Sequence, residues 1–120
     1  MRTKLLLSFL IGFLFMSCTN KEYEQKIAGK WKTVNWEVEQ SGEKLDGQMN
    51  FTFENDGTYT LDYGSKIENG KFWITDDVLH TQAEGGVEII VRITQLTEDS
   101  LGFQMNRGGT IEVVDLARER

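Results

Sequence analysis

Between Trp31 and Ala117, short stretches with an apolar residue at every second position follow one another, and this leaves the chain few folds to choose from. A period of two sends alternate side chains to opposite faces, which is the pattern of a strand with one buried side. Eight such stretches can be marked: Trp31–Gln40, Gln48–Glu54, Thr58–Tyr63, Gly70–Thr75, Val78–Gln82, Val87–Leu96, Ser100–Met105 and Thr110–Ala117. The chain has no proline and 12 glycines, so its turns must be made by Gly, Asn and Asp. Asn55-Asp56-Gly57 is the strongest of them, because these residue types accept a positive φ. Successive strands with short connections and no crossover helix predict an all-β fold, an eight-stranded antiparallel up-and-down barrel. A two-sheet sandwich is the competing arrangement.

The phase of the alternation carries further detail. Val34, Trp36 and Val38 share a face, and Trp31 is out of step with them, so either the chain bends near Lys32 or Thr33 or Trp31 lies just before the regular strand. In the last strand the phase changes midway, from Ile111 and Val113 to Val114 and Leu116, which predicts a bulge near Val113. Trp73, Ile90 and Val114 fall on the expected outer face. Ile27-Ala28 is expected to form a short turn that plugs one end of the domain.

The stretch before the barrel has a different composition. Met1–Ser17 opens with Arg2 and Lys4 and continues in a run from Leu5 to Met16 broken only by Ser8 and Gly12. That run is too short to cross a ~30 Å hydrocarbon core comfortably. A basic start, a short apolar run and a small residue form the pattern of an export signal. Cys18, the one cysteine in the chain, stands directly after it. Phe15-Met16-Ser17-Cys18 resembles the lipobox of bacterial lipoproteins, which implies a lipidated Cys18 as the mature N-terminus and attachment to a membrane through that lipid. The expected organisation is therefore a signal peptide over 1–17, a lipidated cysteine with a polar linker over 18–26, and a barrel domain over 27–120. The Lys-Glu-x-Glu character after Cys18 is similar to the surface-export signals of Bacteroidota lipoproteins.

Several functions are disfavoured at once. The formal net charge is −6, and an acidic domain without a basic cluster is a poor partner for nucleic acid. One cysteine permits no intrachain disulfide. His80 is the single histidine, and Asp76, Asp77 and Glu84 near it match no metal-loop spacing. No nucleophile motif or phosphate-cradling glycine loop is present. We expect no enzyme, no metal and no cofactor.

Gly29-Lys30-Trp31, at the head of the first of eight antiparallel strands, matches the G-x-W motif of lipocalins. With the leader, the Asn-Asp-Gly-Thr hairpin, the Gly-x-Phe-Trp strand start and Leu116-Ala117-Arg118, the chain resembles small lipocalin-like lipoproteins of Bacteroidota. The resemblance implies a barrel floor built from Gly29, Trp31 and Arg118, with the arginine packed across the indole. It also implies a barrel without the helix that follows the last strand in typical lipocalins. The expected place is the bacterial cell envelope, lipid-anchored at the outer membrane.

The expected interior is aromatic: Trp36, Phe51, Phe53, Tyr59, Tyr63, Phe72, Phe103 and Met105. An eight-stranded barrel is just wide enough either to be filled by such side chains or to hold one small ligand. Both readings stand at this level. In the first, the eight residues line a site for a small apolar or amphipathic molecule. In the second, the barrel is filled, and loops near Gly42–Gly47 and Gly85-Gly86 contact another envelope protein.

Overall fold

A computed structural model describes residues 19–120. The leader 1–17 and Cys18 lie outside the described residues. One helix, α1 (Lys21–Ile27), precedes eight strands: β1 (Gly29–Val38), β2 (Asn50–Phe53), β3 (Thr58–Asp62), β4 (Ile67–Thr75), β5 (Val78–Ala83), β6 (Glu88–Leu96), β7 (Ser100–Arg107) and β8 (Thr110–Arg118). Each strand is antiparallel to the next, and β8 returns to β1, so the sheet is a closed up-and-down barrel. Closure removes the free edges that would otherwise pair with other chains.

The seam between β1 and β8 runs from Trp31↔Arg118 to Val38↔Glu112. It is held hardest at its lower end. The Arg118 guanidinium lies 4.3 Å from the centre of the Trp31 ring. It also donates to the carbonyls of Ala28 and Lys26, at 2.7 Å each, and to that of Glu98. The Trp31 indole N–H donates to Ile27 O at 2.8 Å. Gly29 has φ of +130°, and a Cβ there would overlap the guanidinium. These contacts place Gly29, Trp31 and Arg118 at the closed end of the barrel.

Residues 21–26, expected as part of a polar linker, are helical instead. Asn20 caps α1 by accepting from Tyr23 N at 3.1 Å, a common way of satisfying a free helix N–H. Glu22 and Glu24 near its start and Lys26 in its last turn suit the helix dipole. The helix is then pinned to the barrel from several sides. Asn20 N donates to Ile74 O at 2.6 Å, Asn20 Nδ2 to Asp76 O at 2.7 Å, and Glu24 accepts from Ile74 N at 3.0 Å. Its last residue, Ile27, is fully buried and plugs the floor.

The bend expected in the first strand is a bulge between Thr33 and Asn35. It throws Val34 outward, where it is 61% exposed. The inner face of β1 is therefore Trp31, Thr33, Trp36 and Val38, not a set that includes Val34. No bulge occurs near Val113: β8 pairs without interruption with both neighbours along that part. Its inner face is Glu112, Val114 and Leu116, all buried, so Val114 belongs inside and not on the outer face. The second bulge of the barrel lies between Ile93 and Gln95 in β6.

The lower half of the interior is filled. Phe53 stacks on Phe51 at 5.1 Å between centroids and meets Phe72 edge-on at 4.9 Å. Tyr59, Ile74, Leu101, Phe103, Val114 and Leu116 complete this mass. Fully burying side chains of this size contributes roughly 1.5–3 kcal/mol each.

Because Arg118 joins α1, β1 and the β6–β7 turn, Arg118→Met is expected to lower stability by about 2–3 kcal/mol, from charge-assisted hydrogen bonds lost to carbonyls. Urea unfolding followed by tryptophan fluorescence measures this. Arg118→Lys should recover only part of the loss, because an ammonium cannot reproduce the planar fork.

Candidate functional site: the open end of the barrel

Packing at the floor leaves space only at the other end. There the barrel encloses a cavity of about 410 Å³. Its lower walls are apolar: Met49, Phe51, Leu61, Leu79, Val91 and Phe103. Its rim is mixed: Tyr63, Glu68, Thr81, Ile89, Met105, Asn106 and Arg107. Strand parity explains most of these placements, and Asn106, out of step with its neighbours on β7, stands at the edge between the inner and outer faces. Leu61 and Tyr63 follow Tyr59 at steps of two, Glu68 precedes Gly70 and Phe72, and Met105 and Arg107 follow Phe103.

The eight aromatic and sulfur residues expected as lining divide into three groups. Phe51, Tyr63, Phe103 and Met105 line the cavity. Phe53, Phe72 and Tyr59 sit below it in the packed mass. Trp36, on the inner face of β1, packs against the core without lining the cavity, under the loop that joins β1 to β2. Gly47 of that loop rests on its ring so closely that a Cβ there would collide with it.

Three charged residues shape the site that were not among the expected lining. Glu112 is only 8% exposed and points inward from β8. It accepts from the Trp36 indole N–H at 2.9 Å and faces Arg107 Nε at 3.5 Å. A buried charge without partners would cost several kcal/mol, so these two contacts make its position tenable. Glu68 accepts from the Tyr59 hydroxyl at 2.6 Å. Arg107 is the one cation lining the cavity. The signal for Glu68 and Glu112 was parity. Extending the fourth strand back from Phe72, and reading the eighth back from Leu116 without a bulge, puts both carboxylates inside.

Burial raises the pKa of the Tyr59 hydroxyl above the usual tyrosine range, and the adjacent Glu68 carboxylate raises it further. Tyr63 is shifted the same way, by desolvation first and then by Glu68. Tyr59 thus remains a donor to Glu68 far into the alkaline range. His80 lies on the outer surface, stacked on Trp73 at 5.1 Å between centroids. Its ring nitrogens meet Thr75 Oγ1 at 2.9 Å and Glu88 Oε2 at 2.8 Å. Among the described residues no group of three or more His, Cys, Asp or Glu is arranged to hold a metal ion. Trp31 and Arg118 are at the opposite end and touch none of the cavity.

The tyrosine shifts give a pH test. The folded pKa of Tyr59 lies above its unfolded value, so the stability it contributes is complete below about pH 10 and is lost as pH rises toward the folded value. In a titration of the three tyrosines by tyrosinate absorbance, Tyr59 should ionise last. Tyr59→Phe should delete that last step, and deletion of an earlier step would contradict the assignment.

The sequence profile of a lipocalin-like domain matches residues 27–103, from the residue that plugs the floor to the middle of β7. Among curated proteins no sequence matches significantly. A closed eight-stranded barrel, a tryptophan floor and a profile match over more than half the chain agree, and the protein belongs to the lipocalin-like domain family.

Proposed function

We propose that the protein is a lipid-anchored lipocalin-like carrier of the bacterial envelope, which holds a small apolar or amphipathic molecule in the open-end cavity. The observation that carries this reading is the cavity itself. Its volume of about 410 Å³ falls within the roughly 300–1,000 Å³ typical of small-molecule sites. It has an apolar floor for the body of a ligand, and it gathers its polar groups at the rim. Tyr63, Glu68 and Arg107 can orient a polar end there, while Phe51, Leu61 and Phe103 receive the rest. Lipidation of Cys18 supplies the anchor in this reading, at the outer membrane of a Bacteroidota-type envelope. Asn20 is fixed to the closed end, so a membrane attachment two residues earlier sets the floor toward the bilayer and the mouth away from it.

The cavity is tested with the uncharged probe N-phenyl-naphthylamine. Saturable fluorescence enhancement is expected, and Thr81→Trp, which fills the rim from β5 while leaving the floor intact, should abolish it without lowering the thermal midpoint. If the wild-type protein gives no saturable signal, the carrier reading fails. The loops Gly42–Gly47 and Gly85-Gly86, both at the mouth, then become the place to look for a protein partner. The anchor is tested separately. Cys18→Ala should eliminate incorporation of labelled palmitate and release the protein from the membrane fraction. Unchanged incorporation would refute lipidation at this residue.

A further inference from the structure

The wall of the barrel is not continuous all the way up. The β6–β7 ladder runs from Leu96↔Leu101 to Arg92↔Gln104 and stops there. Both strands continue past that point. β6 stays paired with β5 back to Glu88, and β7 stays paired with β8 out to Arg107. Residues 88–91 and 105–107 therefore face each other across the wall without a ladder. The β1–β2 ladder also stops early, at Lys32↔Asn50, but there the loop fills the edge: Val38 N donates to Glu43 O and Leu45 N to Trp36 O, both at 2.9 Å. Between β6 and β7, among the described residues, the register ends at Arg92↔Gln104.

A second observation coincides with the first. A hollow of about 490 Å³ on the outer face is lined by Ile90, Val91, Met105 and Asn106, and the same four residues line the inner cavity. The two spaces adjoin across the unpaired stretch. The β6 lip of this slot is apolar; the β7 lip is Met105 followed by Asn106 and Arg107, and Asp77, Arg92 and Gln104 line the outer hollow beyond it. Ile89 and Ile90 are 48% and 58% exposed, and Val87 beside them 78%. Met105 opposite is unbranched and adapts its shape. The nearest carboxylate on β6, Glu88, is turned away onto His80.

We propose that this slot is a side passage for a hydrocarbon chain, and that the ligand is a single-chain amphiphile whose tail outruns the cavity and leaves the barrel between β6 and β7. This rests on the reading that the cavity holds an apolar or amphipathic molecule, and it adds the ligand's shape. The slot is about three residues long, roughly 10 Å at the rise of a strand. An extended methylene chain can lie in such an opening, whereas a rigid fused-ring body must use the mouth. Ile89, Ile90 and Met105 shield the emerging tail from water at the point where it leaves the interior.

Sewing the slot shut tests this. Continuing the ladder beyond Arg92↔Gln104 sets Ile90 opposite Asn106, so Ile90→Cys with Asn106→Cys, in the full chain carrying Cys18→Ala, gives a bond that can be closed and reopened. Displacement of N-phenyl-naphthylamine by decanoate, palmitate and stearate is then compared in the two states. With the bond reduced, affinity should hold or rise along the series. With it oxidised, decanoate should still bind, while stearate should weaken at least tenfold and recover on reduction. Equal chain-length profiles in the two states would overturn the slot while leaving the cavity reading intact. Binding of no fatty acid and no probe in either state would overturn both. If the bond does not form, Ile90→Trp narrows the slot from the outer side of β6 and should give the same split between decanoate and stearate. Unchanged stearate binding in that variant would count against the passage.

Discussion

An eight-stranded sheet becomes a barrel only if its two end strands meet, and here the meeting is fixed by one cation on one indole. Arg118 lies on Trp31 and gathers the carbonyls of Lys26, Ala28 and Glu98. Those carbonyls belong to the helix, the approach to β1 and the β6–β7 turn. A single side chain thus ties together three parts of the chain that local sequence would leave independent. The floor it creates determines where everything else can go. Ile27 and the aromatic mass around Phe53 fill the lower half, so the unfilled volume lies at the mouth. Location of the cavity is in this sense a consequence of closure.

The polar interior follows a related logic. Two inward carboxylates, Glu68 and Glu112, are each provided with a donor from a neighbouring aromatic: the Tyr59 hydroxyl and the Trp36 indole. Those aromatics are core residues whose polar tips reach up toward the wet end. The apolar floor and the polar rim are therefore linked by hydrogen bonds, and the rim geometry depends on the packing below it.

Much of this could be read from the residues. Eight strands, their order and the hairpin at Asn55-Asp56-Gly57 are visible because alternation and turn chemistry are local. The floor was visible because Gly29, Trp31 and Arg118 match a motif that draws on both ends of the domain's sequence. What could not be read was the parity after a bulge. Val34 is apolar and still faces out, and Val114 looks like an outer residue until β8 is known to be regular. One residue of slip reverses every side chain beyond it, and it concealed Glu112. Glu68 was missed because its strand begins three residues earlier than the apolar pattern does. The helix α1 gave no stripe to recognise. It has seven residues and buries only Ile27, and the bonds that fix it come from Asn20, Glu24 and the end of β4. Such contacts are tertiary and leave no periodic mark.

The seam also bears on the order in which the molecule is made. Strands β2 to β7 pair with sequence neighbours through short turns and can assemble as a growing meander. The bond from Arg118 to Ala28 spans 90 positions, and contacts of that separation carry the largest loop-closure cost and slow folding. Until β8 arrives, β1 has one bare edge and the meander another. The last event in folding is then the docking of β8 against β1, and an intermediate lacking it would be the species most exposed to pairing with a second chain. That interval is when a chaperone would be most useful.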